Sequence, residues 1–80
     1  MTTMLRLRNV KIGNEYAEAD FFPEDSEKAG HVMVNLSDGE IVACNNVPGY
    51  GESYAGHARQ RLVRMAKEKD HRSECVVMWY

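Results

Sequence analysis

Strong core formers are scarce in this chain. Leu, Ile, Val and Phe together number 16 of 80 residues. Five Met, four Tyr, one Trp and several Ala extend the apolar set. A domain of this length buries only about 60% of the surface its unfolded chain exposes, which leaves no room for a second core. Residues 1–80 are therefore expected to form one small domain with thin stability. Such domains usually add disulfides, a metal or a partner chain, and the first two are poorly provided for. Cys44 and Cys75 stand alone, with no CxxC, and are expected to be reduced and buried as small apolar residues. Both fall inside strand-like segments, where thiols tend to be inert, so cysteine catalysis is not expected. His31, His57 and His71 are also scattered singly, whereas zinc sites show close ligand pairs. No metal and no cofactor is expected. The stretch from Met1 to Arg8 lacks the apolar run of a signal peptide, and no segment is long and apolar enough to span a bilayer, so a cytoplasmic protein is expected.

The formal net charge of −2 conceals a strong asymmetry. From Asn14 to Lys28 there are six acids against one base, and from Ser53 to Arg72 six bases against two acids. Charge runs on helices are normally solvated faces. The sharper expectation is that one of these patches meets a partner of opposite sign.

Hydrophobic alternation defines the strands. Leu5–Ile12 reads as a strand whose parity slips between Leu7 and Val10, which predicts a bulge near Arg8-Asn9. Gly13-Asn14 marks a turn. In the second strand, Glu15–Phe22, Ala17, Ala19 and Phe21 share one face; Pro23 ends it or lies on an edge. Pro23-Glu24-Asp25-Ser26 opens a polar loop. His31–Leu36 and Ile41–Cys44 form a hairpin around Ser37-Asp38-Gly39-Glu40, whose register stays open between a two-residue turn and a three-residue turn pairing Val34 with Val42. Ser53, with Glu52 beside the positive end of the dipole, is expected to cap a helix ending near Lys69-Asp70, with Tyr54, Ala55, Ala58, Leu62, Met65 and Ala66 as its apolar stripe. Glu74–Tyr80 is apolar on both faces, which predicts a central strand covered on both sides. The expected fold is α+β: a mainly antiparallel sheet in the order ββββαβ, with one helix on one face and the last strand placed centrally. Because one helix covers one face, Tyr16, Phe22, Met33 and one side of the last strand should leave an apolar patch. A symmetric homodimer through the sheet is the expected way to cover it.

Candidate chemistry concentrates where Asn45-Asn46-Val47-Pro48-Gly49-Tyr50-Gly51 enters the helix. Gly49-Tyr50-Gly51 begins like a dinucleotide fingerprint, but Tyr54 stands at the third glycine position and the loop has no lysine, so neither that motif nor a P-loop is present. A small polar or aromatic ligand remains compatible: Tyr50 and Tyr54 supply aromatic faces, Asn45 and Asn46 hydrogen bonds, His57 and Arg61 charge. His57 and Arg61 lie one turn apart on one face, and Arg binds carboxylate or phosphate in a bidentate manner. The set lacks a nucleophile–base pair and facing carboxylates, so an enzyme ranks below a binding protein. Arg59, Arg61, Arg64 and Lys67 are the candidate contacts for nucleic acid, a reading weakened by the acidic total and the missing aromatics.

The run from Val47-Pro48-Gly49 into the amphipathic helix resembles the same stretch of small HicB-type antitoxin domains. It lacks the acids that precede the helix in that family, and no residue role carries across. The leading expectation is a non-catalytic interaction module that self-associates through its sheet. The alternative is a nucleic-acid-binding or toxin–antitoxin-type regulator using the basic helix face; third is a small enzyme at the 45–61 junction.

Overall fold

The structure, a computed structural model, describes residues 3–24, 26–51 and 53–79, with the backbone alone described at Trp79. Its elements run β1 (Thr3–Ile12), β2 (Tyr16–Pro23), β3 (Gly30–Asn35), β4 (Ile41–Asn45), α1 (Ser53–Glu68) and β5 (Cys75–Trp79). All five strands belong to one antiparallel sheet in the order β4-β3-β2-β1-β5. The α+β class and the ββββαβ order expected from alternation and helical period are both present.

The parity slip in β1 is a bulge. Arg8 pairs with Asp20 and Lys11 with Glu18, and Asn9 takes a positive φ of 54° in between. The extra residue lets Leu5, Leu7, Val10 and Ile12 all serve the helix-covered face. Pro23 closes β2 opposite Leu5, buried, at a position where its missing N–H breaks no ladder beyond it. The β3–β4 hairpin takes neither of the two expected registers. Leu36–Gly39 form its loop, the Asn35 N–H donates to Glu40 O at 2.8 Å, and Gly39 supplies a φ of 75°. Val34 pairs with Ile41 and Met33 with Ala43, so Val42 is bulged out of register.

Ala55, Ala58, Leu62 and Met65 form the buried stripe of α1; the first three join Leu5, Leu7, Ala17, Ala19, Phe21, Val32, Val34 and Val77 in one core cluster, and Met65 Sδ lies 3.9 Å from Cys75 Sγ. The small alanines bring the helix close to the sheet over β1–β3. β4 lies beyond its reach, with all five residues exposed. Ser53 is the first residue of the helix rather than a residue preceding it; Glu52 lies outside the described residues. At the other end Lys69 adopts a φ of 56°, Asp70 N–H donates to Met65 O at 2.9 Å and Lys69 N–H to Ala66 O at 3.3 Å, a Schellman closure.

Three expectations need correction. β5 is an edge strand, not a central one. Short connections already pair β1 to β2, β2 to β3 and β3 to β4, so no gap remains inside the meander, and the chain returning from α1 must take a free edge. It docks antiparallel to β1. Secondly, the face away from the helix is not a continuous apolar patch. Tyr16, Phe22 and Met33 are there, but so are Arg6, Arg8, Glu18, Asp20 and His31, and Phe22 lies beneath the guanidinium groups of Arg6 and Arg8, 5.4 and 5.6 Å from its ring centre. Thirdly, Cys44 is exposed rather than buried, because β4 has no helix above it; Cys75 is half-buried. The two thiols lie at opposite edges of the sheet, about 19 Å apart at the usual strand spacing of about 4.8 Å, and are not bonded to each other.

Candidate functional site

The residues expected at the loop–helix junction separate into three places. Asn45 ends β4 opposite His31, and Asn46 accepts a hydrogen bond from the Cys44 thiol at 3.5 Å. Tyr50 and Tyr54 form an edge-to-face pair with ring centres 5.7 Å apart, packed against the core. The Tyr54 hydroxyl donates to Glu24 Oε1 at 3.0 Å, and the same carboxylate oxygen receives the Met4 N–H at 3.3 Å. Burial, and then the hydrogen bond to the Glu24 carboxylate, raise the Tyr54 phenol above its ordinary range, so it stays protonated and donating at neutral pH. Glu24 was not singled out from sequence; its strand-end position was visible, but its partner 30 residues onward was not.

His57 and Arg61 occupy the third place. They line a groove with Gln60, Arg64, Val77 and Met78, between the flank of α1 and β5. Helical period sets the flank: the stripe centred on Ala58 and Leu62 faces the sheet, which turns His57, Arg61 and Arg64 towards the β5 side. Arg64 Nε binds Glu68 Oε1 at 2.8 Å, an exposed i,i+4 pair. Arg61 makes no hydrogen bond or ion pair among the described residues. The positive charges of Arg61 and Arg72 reach Cys75, but burial outweighs them and pushes the thiol up, which leaves it protonated and a poor nucleophile at neutral pH.

The four residues proposed for nucleic acid do not form one stripe. Arg59 leans the other way and donates from Nη1 to Gly39 O at 3.0 Å, pinning the β3–β4 turn. Arg61 and Arg64 flank β5, and Lys67 is exposed at the end of the helix.

A cluster missed in the sequence lies on the open face of the sheet. His31 Nδ1 is 2.8 Å from Asp20 Oδ1 and its Nε2 is 3.5 Å from Glu18 Oε2. Asn9, turned by the bulge, donates to Asp20 Oδ2 at 2.9 Å. The hydrogen bonds from His31 and Asn9 hold the Asp20 carboxyl below its ordinary range. The strand parity of Glu18 and Asp20 was legible, but pairing with His31 requires the β2–β3 register. Among the described residues, no group of three or more His, Cys, Asp or Glu side chains is placed to hold a metal ion.

The remaining feature is the outer edge of β5. Met4 O accepts the Glu24 N–H on the β2 side. In an antiparallel ladder alternate residues bond to alternate neighbours, so Thr3, Leu5 and Leu7 bond towards β5. Their partners Trp79, Val77 and Cys75 turn inwards, which directs the backbone N–H and C=O groups of Val76 and Met78 out of the sheet. These two residues are 47% and 65% exposed. β5 carries no charge, no proline and no bulge, the devices that usually blunt an edge. At the opposite edge, β4 is bulged at Val42. Among the described residues, no helix is long and apolar enough to cross a membrane. In comparisons with known proteins, no family model matches the chain, and no curated protein or solved structure matches it.

Proposed function

We propose that this protein is a non-catalytic interaction module that binds an extended segment along the outer edge of β5. The observation that carries this reading is the edge itself: an unbulged, uncharged strand with outward backbone groups at Val76 and Met78, both of them exposed residues. Added strands gain main-chain hydrogen bonds from such an edge, and alternate side chains supply specificity. Binding is favoured over catalysis because the titratable groups that converge, Glu18, Asp20 and His31, engage one another on β2 and β3, with β1 between them and this edge.

Selection of displayed random linear peptides against the protein tests the reading. Peptides should enrich, shift the backbone NMR signals of residues 75–79, and lose binding to a Val76→Pro variant, which removes one outward N–H. Met78→Lys is the second variant, since an exposed edge charge leaves the β1 pairing intact. Enrichment of nothing, or of peptides indifferent to both variants, would overturn it. Self-association is the other occupancy of the same edge. Sedimentation measurements distinguish it, and a dimer lost in both variants would assign the edge to a second copy.

A further inference from the structure

The edge of β5 does not stand alone: the basic flank of α1 runs beside it. His57, Arg61 and Arg64 form one wall of the groove whose other wall is Val77 and Met78. We infer that the segment taken up at β5 is acidic, with Asp or Glu at alternate positions and apolar residues between them. This rests on the reading of β5 as a binding edge and specifies the partner's chemistry.

The alternation follows from the geometry of an added strand. Its side chains point in turn to the helix side and to the open side of the sheet. Those on the helix side stand next in line after Cys75 and Val77 and face the basic flank. Those on the open side sit beside Val76 and Met78, within reach of cross-strand contact. Arg61 has no ion-pair partner among the described residues and is half-buried. Its planar fork suits a carboxylate, and a partly shielded charge is screened less than one in open water. Arg64 keeps one nitrogen on Glu68 and offers its remaining N–H groups.

The same charges disfavour a second copy as the occupant. Antiparallel pairing of two β5 strands about a twofold axis would place both helices on one face of a continuous sheet. The two basic flanks would then line a single groove, and like charges so juxtaposed weaken association. Nor can Glu18 and Asp20 of the chain's own acidic run serve, because they lie in β2, a strand already paired on both sides.

The test uses a fluorescein-labelled heptapeptide of alternating Glu and Val, with blocked ends, followed by anisotropy. Matched peptides carry Gln or Lys in place of Glu, and a fourth holds the same Glu and Val in two blocks. The alternating Glu peptide should bind, and the Gln peptide should bind on the order of tenfold more weakly. The Lys peptide should not bind. Raising the salt should weaken the Glu peptide selectively. Arg61→Glu should weaken it on the order of tenfold while leaving the Gln peptide unchanged, and Arg61→Gln should fall between.

Equal binding of the Glu and Gln peptides would overturn the acidic assignment while leaving the edge reading intact. Equal binding of the blocked Glu peptide, or retention of the alternating one by Val76→Pro, which removes an outward N–H without changing the charge, would show charge attraction without strand addition and overturn both. If none of the peptides binds, the edge reading itself is lost. Tighter binding of a single-stranded oligonucleotide of equal charge, at the same salt, would assign the basic flank to nucleic acid instead.

Discussion

At Lys69 the backbone is held at a φ of 56°, where a side chain is disfavoured and glycine is not. The residue is kept there by the Schellman closure onto Met65 and Ala66. Lys69→Gly should therefore raise unfolding stability by about 1 kcal/mol, read as a higher urea midpoint at unchanged slope. Gly30 is the opposite case. It pairs with Phe21, and a Cβ placed on it would collide with the Phe21 ring and the Asn45 carbonyl. The ring can swing away only by leaving the core, and the carbonyl belongs to the neighbouring strand. Gly30→Ala should cost about 1–3 kcal/mol, checked by the same denaturation measurement. Gly30 did not stand out in the sequence, and Lys69 did so only as a helix end, because conformational demand at one residue is set by what the rest of the fold puts around it.

The pairing of β1, β2 and β3 explains what alternation did and did not reveal at the level of elements. The bulge at Asn9 was legible, since Leu5 and Leu7 cannot share a face with Val10 and Ile12 without an extra residue. The hairpin register was not, because Asn35 and Gly39 close a loop longer than either turn considered. Register also places Asp20 between His31 and Asn9. Its folded carboxyl titrates below the ordinary value of 3.8, so the native state favours the ionised form. The resulting stabilisation is fully present above the unfolded value and is lost as the pH falls through the folded one. Asp20→Asn should lower stability by about 1 kcal/mol at neutral pH, a modest figure because the side chain is partly exposed. The gap between variant and parent should close only below pH 3.8. A gap independent of pH across that range would show that charge is not what holds the cluster.

For the molecule as a whole, the cysteines are a stability null. With Cys44 and Cys75 on opposite edges, no intramolecular bridge can form without unfolding the sheet. Adding a reductant should leave the thermal midpoint of the monomer unchanged in a scanning calorimeter. Stability comes instead from one layer of helix on sheet, in which Leu62 and the alanines of α1 meet the inner rows of β1, β2 and β3. The same arrangement leaves β4 outside the cover of the helix, while β5 tucks Val77 under it and keeps its outer edge unpaired. Only β5, unbulged and uncharged, has a basic wall beside it. The candidate site was therefore half legible. His57 and Arg61 were paired by their i,i+4 spacing, but Val76 and Met78 gained their role only when β5 took the edge beside them.

The residue pattern alone determined the element types, the order ββββαβ, the bulge in β1 and the charged and apolar sides of α1, because each is encoded over a few neighbouring positions with period 2 or 3.6. The tertiary structure decided which strand ends the sheet, which residues meet across it, and that the apolar last strand keeps an exposed face. Strand order depends on where the returning chain finds an unpaired edge. That is settled by connections far apart in sequence, and no local period records it.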